Sequence, residues 1–157
     1  MWCDKFMSHT SIFLGGTVGS TTWRSTFIDD LVAAGVPAES LYNPVVPDWT
    51  PECQVAEDQA KREAQYNLFY ICSPNPGDAT HVSVYSIVEA VMGLYDKPST
   101  TVIVFDNREY SGHLLKALKK TEKDLRERFP TANIFSSYEE AVSYFSARLG
   151  KHVAVLA

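Results

Sequence analysis

The fold is decided by the stretch Asn67-Leu68-Phe69-Tyr70-Ile71-Cys72. This run is almost continuously apolar, which is typical of a central strand buried on both faces of a parallel sheet. A second run of the same kind, Thr101-Val102-Ile103-Val104-Phe105, follows after an intervening helical pattern. The order strand–helix–strand predicts parallel neighbours joined by a helical crossover.

Outward from these two runs, short β-rich segments alternate with longer helical patterns. Strands are predicted at residues 11–14, 41–42, 67–72, 101–105 and 133–135, with a last short strand at 153–155. Helices are predicted at residues 22–34, 51–65, 82–95, 112–128 and 138–149. The pattern predicts an α/β fold of the flavodoxin or Rossmann kind, a doubly wound sheet of about five mainly parallel strands with helices on both faces.

Length and charge limit the class of protein. The 157 residues fit a single domain, with residues 1–9 expected to form a flexible leader. The net charge of −5 argues against a duplex nucleic-acid partner, because phosphate neutralisation needs a clustered basic face. No segment has the length and apolar character of a membrane span, and the N-terminal residues lack the apolar core of a signal peptide.

The cysteines predict no disulfide framework and no zinc site. Cys3, Cys53 and Cys72 are scattered, odd in number and without CxxC spacing. We therefore expect a reduced, cytoplasmic chain. No group of residues has metal-ligand spacing, and no cofactor is predicted.

Polar residues that follow strands are the candidates for function, because ligands of doubly wound sheets lie at the carboxyl ends of the strands. Gly15-Gly16-Thr17 ends the first strand shortly before a helix. It is either a tight turn or a loop whose backbone N–H groups approach a ligand. Arg24, in the first turn of that helix, forms either a salt bridge or a contact with an anionic ligand.

Three polar residues share one face of the helix predicted at 82–95. Ser83, Ser86 and Glu89 are spaced three apart among apolar neighbours. They are either a capping serine with a structural glutamate paired to a core arginine, or one wall of a ligand site. In the second interpretation Glu89, about 9 Å along the helix axis from Ser83, reaches the anomeric carbon of a bound nucleoside.

At this point the chain resembles the nucleoside 2-deoxyribosyltransferase-like family. The matching pieces occur in the family's order over roughly residues 12–105. They are Phe13-Leu14-Gly15-Gly16-Thr17, Trp23-Arg24, Tyr42-Asn43-Pro44-Val45-Val46-Pro47-Asp48-Trp49, the charged helix with Glu57 and Lys61, Leu68-Phe69-Tyr70-Ile71 with Ser73-Pro74, and Val84-Tyr85-Ser86-Ile87-Val88-Glu89. The segment beyond Phe105 matches no motif of the family.

The resemblance implies a flavodoxin-like fold, a homo-oligomer, and cleavage or transfer at the N-glycosidic bond of a nucleoside or nucleoside monophosphate. It places the glutamate nucleophile at Glu89 and the assisting acidic residue at Glu57 or Asp58, which the count does not separate. Many transferases of the family carry an acidic residue at the position of Ser83. Members that act on nucleoside monophosphates resemble this chain in having a serine there. The resemblance implies a substrate pocket lined by Gly15, Gly16, Thr17, Trp23, Arg24, Asn43 and Trp49.

Two classes of function remain open. In the first, Glu89 forms a glycosyl-enzyme ester in a double displacement. In the second, the chain is a non-catalytic nucleotide-binding or sensing module.

A further polar segment follows the strand predicted at 101–105. Asp106-Asn107-Arg108 is either a solvated turn or a contact with the ligand or a neighbouring subunit.

Overall fold

The computed structural model describes residues 9–151. The strands in this range are β1 (Ile12–Gly16), β2 (Leu41–Tyr42), β3 (Tyr66–Ile71), β4 (Thr101–Phe105) and β5 (Asn133–Phe135). The α-helices are α1 (Trp23–Ala33), α2 (Pro51–Glu63), α3 (Val84–Asp96), α4 (Gly112–Arg128) and α5 (Tyr138–Leu149), and a 3₁₀ turn (Ala38–Ser40) precedes β2. The predicted strand at 153–155 and residues 1–8 of the expected leader lie outside the described residues.

The strands form one sheet in the order β2-β1-β3-β4-β5. Every neighbouring pair is parallel, so the predicted doubly wound α/β fold is confirmed. At the carboxyl edge Gly16 lies opposite Tyr70, and Ile71 lies opposite Phe105. The strand order reverses between β1 and β3, which is where such sheets open a crevice for a ligand.

Alternate residues of the central strands pack on opposite faces of the sheet. In β3, Leu68 and Tyr70 join a cluster with apolar residues of α1 and α5, whereas Phe69 and Ile71 join one with residues of α2, α3 and α4. Burying each such side chain stabilises the fold by about 2 kcal/mol. This double-sided burial explains why the run is apolar without alternation.

Both ends of α4 and α5 and the start of α2 were predicted correctly, whereas the end of α2 and both ends of α1 and α3 differ from the predicted residues by one or two positions. Ser83 has extended backbone angles and precedes α3, because its hydroxyl accepts from the backbone N–H of Ser86 and caps the helix. Ala64, the residue after the end of α2, has an extended ψ, so the helix ends at Glu63 and not at the predicted residue 65.

The expectation of an entirely reduced chain is wrong. Cys53 is disulfide-bonded, while Cys72 is free and buried. In the described part of the chain, no helix is both long and apolar enough to cross a bilayer.

Candidate functional site

The glycine turn at the end of β1 is held tightly against β3. The backbone N–H of Thr17 donates to Tyr70 O at 2.8 Å, and the Thr17 hydroxyl accepts from the backbone N–H of Cys72 at 3.1 Å. Gly16 has a φ of +120°, and a Cβ there would lie 2.2 Å from Tyr70 O. The tight-turn interpretation thus accounts for Gly16 and for the fully buried Thr17 by contacts within the protein.

Arg24 fixes the same turn from the other side. Its guanidinium donates to the carbonyl oxygens of Leu14 at 3.0 Å, Gly16 at 2.9 Å and Thr17 at 2.8 Å. Burial lowers the pKa of Arg24 to about 10. The Trp23 ring stacks on Tyr70 at 4.6 Å, and its indole N–H also donates to Thr17 O. The pair therefore supports the turn, with carbonyls in place of the predicted salt bridge.

The serine hydroxyls at the start of α3 are bonded to each other. Ser83 Oγ and Ser86 Oγ are 2.7 Å apart, and Ser83 Oγ accepts from the backbone N–H of Ser86 at 3.3 Å. Ser86 is buried, whereas Ser83 is half-buried. Ser83 is thus the predicted capping serine, and its hydroxyl is the more accessible of the two.

Glu89 pairs with a lysine from the neighbouring helix. Its Oε2 lies 2.8 Å from Lys61 Nζ, and the side chains of Lys61 and Glu89 are 21% and 15% exposed. The partner is thus a lysine of α2 and not the core arginine of the structural interpretation. Burial disfavours the charged ammonium, but the bond to Glu89 outweighs this and raises the pKa of Lys61. The Lys61 ammonium also lies 5.5 Å from the centre of the Phe13 ring.

The two acidic candidates on α2 occupy different surroundings. Glu57 is half-buried, and Trp49, Lys61 and Glu89 all influence its ionisation. Burial raises the pKa of Glu57, and repulsion from Glu89 and Asp58 acts in the same direction, while Trp49 and Lys61 oppose the shift. The Asp58 side chain is 46% exposed, accepts from Gln54 at 3.0 Å and lies 3.7 Å from Lys61. Both acidic side chains therefore interact with Lys61.

We call Glu57, Lys61 and Glu89 the carboxylate cluster. Lys61 belongs to one of the sequence motifs, but the motif does not predict that Lys61 pairs with Glu89. Its spacing of four residues from Glu57 places those two side chains on one helix face but does not indicate Glu89 of α3 as the partner.

Two further predicted residues shape the loop between β2 and α2. Asn43 is exposed, and its Oδ1 accepts from the backbone N–H of Val45 at 3.0 Å, which organises the loop. Trp49 is 55% exposed and lowers the pKa of Glu57. Of this pair, Trp49 is the residue that influences the ionisation of the carboxylate cluster in the described structure.

A cavity of about 540 Å³ opens on the other face of the sheet, beside the first turns of α1 and α5. It includes the free thiol of Cys72 but not Glu89. Its lining consists mainly of hydroxyl, aromatic and charged side chains: Thr21, Thr22, Trp23, Thr26, Tyr70, Cys72, Ser73, Pro76, Asp106, Arg108, Glu109 and Tyr138.

Asp106 and Arg108 form the charged part of this cavity. Arg108 donates to both oxygens of Asp106, at 2.9 and 2.7 Å, and the Tyr70 hydroxyl also donates to Asp106. Burial opposes ionisation, but these bonds outweigh it and lower the pKa of Asp106. The pair is therefore more than a solvated turn, because Asp106 is bonded inside the protein.

No group of three or more His, Cys, Asp or Glu residues suited to a metal ion occurs within residues 9–151.

The family described as nucleoside 2-deoxyribosyltransferase-like matches residues 9–108, which is more than half of the chain. The chain belongs to the nucleoside 2-deoxyribosyltransferase-like family. The resemblance carried by the sequence motifs is thereby confirmed, and the class of chemistry it supports is glycosyl transfer at nucleosides. Searches of curated proteins and of solved structures found no match.

The match to the nucleoside 2-deoxyribosyltransferase-like family covers the glycine turn and the carboxylate cluster. It also includes every cavity residue except Glu109 and Tyr138. Helices α4 and α5 and strand β5 lie beyond the matched residues.

Proposed function

We propose that the chain cleaves or transfers at the N-glycosidic bond of a (deoxy)nucleoside or nucleoside monophosphate, with Glu89 as the nucleophile. The observation that carries this proposal is the different environment of two neighbouring carboxyl groups. Glu89 is paired with Lys61 at 2.8 Å, whereas burial raises the pKa of Glu57. Two carboxyl groups that differ in this way suit an ionised nucleophile beside a protonated acid.

The first half-reaction forms a glycosyl-enzyme ester. A carboxylate oxygen of Glu89 attacks the anomeric carbon while the bond from that carbon to the base nitrogen breaks. The Glu57 carboxyl donates its proton to the leaving base and becomes a carboxylate. The transition state carries positive charge on the sugar ring, which the nearby negative carboxylate stabilises.

The second half-reaction returns the enzyme to its starting state. Water or a second base attacks the anomeric carbon, the ester bond to Glu89 breaks, and the Glu57 carboxylate accepts the proton that the nucleophile gives up. A water acceptor makes the protein a hydrolase, and a base acceptor makes it a transferase. The proposal covers both.

The remaining predicted residues have supporting places in this proposal. The accessible Ser83 hydroxyl is proposed to contact the sugar or its 5′-phosphate, with Ser86 as its hydrogen-bond partner. The exposed Trp49 ring is proposed to cover the base while its indole orients Glu57. Gly15, Gly16 and Thr17 contribute backbone only, and Trp23, Arg24 and Asn43 act through the loops they hold.

A second candidate function is a nucleotide-binding or sensing module without turnover. The cavity beside α1 favours it, because its volume of about 540 Å³ suits a small ligand and Glu89 does not line it. The ligand would contact the hydroxyls of Thr22 and Thr26 and the exposed Arg108 guanidinium.

The proposal is tested with a panel of nucleosides, 2′-deoxynucleosides and their 5′-monophosphates. Free base is measured by chromatography, with and without an added acceptor base. We expect base release from at least one substrate, because the two carboxyl groups supply both nucleophile and acid. If every substrate survives intact, the enzymatic proposal is wrong.

The binding-module alternative is tested with Thr26→Trp, which fills part of the cavity, and with Ser25→Trp, which lies outside it, as control. A panel member that binds in the cavity should lose affinity for Thr26→Trp and keep it for Ser25→Trp.

We also propose that the chain forms a homo-oligomer through α3. Val84, Val88, Met92 and Tyr95 leave an exposed apolar stripe at helical spacing. A stripe on one helix can meet its own copy across a two-fold axis. Met92→Glu is expected to yield a monomer in light scattering, with Val55→Glu on α2 as the exposed control. A wild-type monomer at all concentrations would contradict the proposal.

A further inference from the structure

Lys61 is surrounded by an excess of negative charge. Its ammonium lies 2.8 Å from Glu89 and 3.7 Å from Asp58, and it also interacts with Glu57. Tyr85 of α3 adds a further electrostatic contact. One cation therefore serves three carboxyl groups, and its position decides which of them is most stabilised as an anion.

The other cations near the cluster are already occupied. Arg24 interacts with Glu57 and Glu89 electrostatically, but its guanidinium is committed to three carbonyl oxygens of the glycine turn. Lys97 donates to the carbonyl oxygens of Lys61, Arg62 and Ala64 at the end of α2. In the described structure, Lys61 is thus the cation that forms ion pairs with carboxylates at this site.

The placement of Lys61 allows its ammonium to change partner while α2 stays in place. Glu57 and Asp58 precede it by four and three residues, so both side chains lie on its face of the helix. Its flexible four-carbon stem leaves the ammonium near the Phe13 ring, and 21% of the side chain is exposed. Rotation about the terminal bonds moves the charge between Glu89 and the two carboxyl groups of α2.

We propose that Lys61 is a positioning residue whose ammonium moves from Glu89 to Glu57 when the glycosyl-enzyme ester forms, and returns when the ester is broken. This inference rests on the proposed function. Ester formation removes the negative charge of Glu89, and proton donation to the leaving base creates a negative charge on Glu57. The ammonium follows the charge, because a half-buried cation is most stable beside an anion.

This movement couples the two half-reactions. Beside Glu89, Lys61 holds the nucleophile in an ion pair and is not the direct partner of Glu57, the proposed acid. Beside Glu57, it stabilises the Glu57 carboxylate until that carboxylate accepts the proton of the water or of the acceptor base. Tyr42 of β2 and Trp49 face Glu57 as well, but neither carries a positive charge.

The test is the pH dependence of kcat/KM, which reports the free enzyme, and of kcat, which reports the substrate-loaded enzyme, for the 157-residue chain with the best substrate of the panel. Removing the cation favours the protonated form of the carboxyl group beside it. Lys61→Met is therefore expected to move the acidic limb of the profile upwards by about one pH unit or more. Lys61→Arg should restore the limb, because a guanidinium keeps the positive charge.

Arg62→Met is the matched control, since Arg62 is the next residue of α2 and is exposed. Its profile should coincide with that of the wild type. If Lys61→Met fails to fold, Lys61→Gln carries the same prediction. An unshifted acidic limb in the folded variant would overturn the role of Lys61 while leaving the proposed function standing, provided that the wild type releases base. A wild type that releases none overturns the proposed function itself.

Discussion

Glu89→Gln is expected to lower the rate of base release by on the order of 10³-fold or more. The amide has the size of the carboxylate but neither its negative charge nor its nucleophilicity, so the glycosyl ester cannot form. The transition state also loses the anion that stabilises the oxocarbenium-like sugar. The amide oxygen of the variant can still accept from Lys61, so folding and substrate binding should change little. Single-turnover chromatography of released base measures the effect.

Glu63→Gln is the control for this substitution. Glu63 is a glutamate of α2 that lies outside the cluster and is exposed, so its variant should react at the wild-type rate. Intact-mass measurement during turnover adds a second readout, in which the wild type gains the mass of the sugar and Glu89→Gln does not. Base release by Glu89→Gln within about tenfold of the wild type would rule out the nucleophilic role.

The strands were predictable where burial alone determines the residue type. Thr101–Phe105 was predicted with both ends correct, because a strand buried on both faces must be apolar throughout. The parallel direction of the strands follows from the helical β–α–β connections. The sheet order does not, because β2 and β3 are consecutive in the chain and yet have β1 between them in the sheet. The disulfide state of Cys53 could not be predicted either, since a sparse and odd number of cysteines gives no pairing rule.

The candidate site was predictable only in its short-range parts. Ser83 as a helix cap depends on residues three positions away. The contact of Lys61 with Glu89 joins two helices across 28 residues, and one sequence does not show which faces of α2 and α3 meet. The partners of Arg24 are backbone carbonyls, which every residue carries and which therefore leave no pattern in the sequence.

Gly16→Ala is expected to reduce the free energy of unfolding by about 4 kcal/mol or more. Gly16 has a φ of +120°, and a Cβ would lie 2.2 Å from Tyr70 O and 2.4 Å from Tyr70 N. These are backbone atoms of the central strand, so they cannot move aside as a flexible side chain would. The end of β1 must separate from β3, which also breaks the bond from Thr17 N to Tyr70 O.

Gly77→Ala separates the two causes of this destabilisation. Gly77 also has a positive φ, +78°, but a Cβ there meets no atom within 4 Å. The free energy of unfolding of this variant should therefore fall only by the cost of backbone strain, about 1–2 kcal/mol. Urea unfolding followed by circular dichroism compares the two. Equal losses would mean that β1 and β3 tolerate a methyl group between them, and the glycine at position 16 would then need another explanation, such as the close approach of a ligand to the turn.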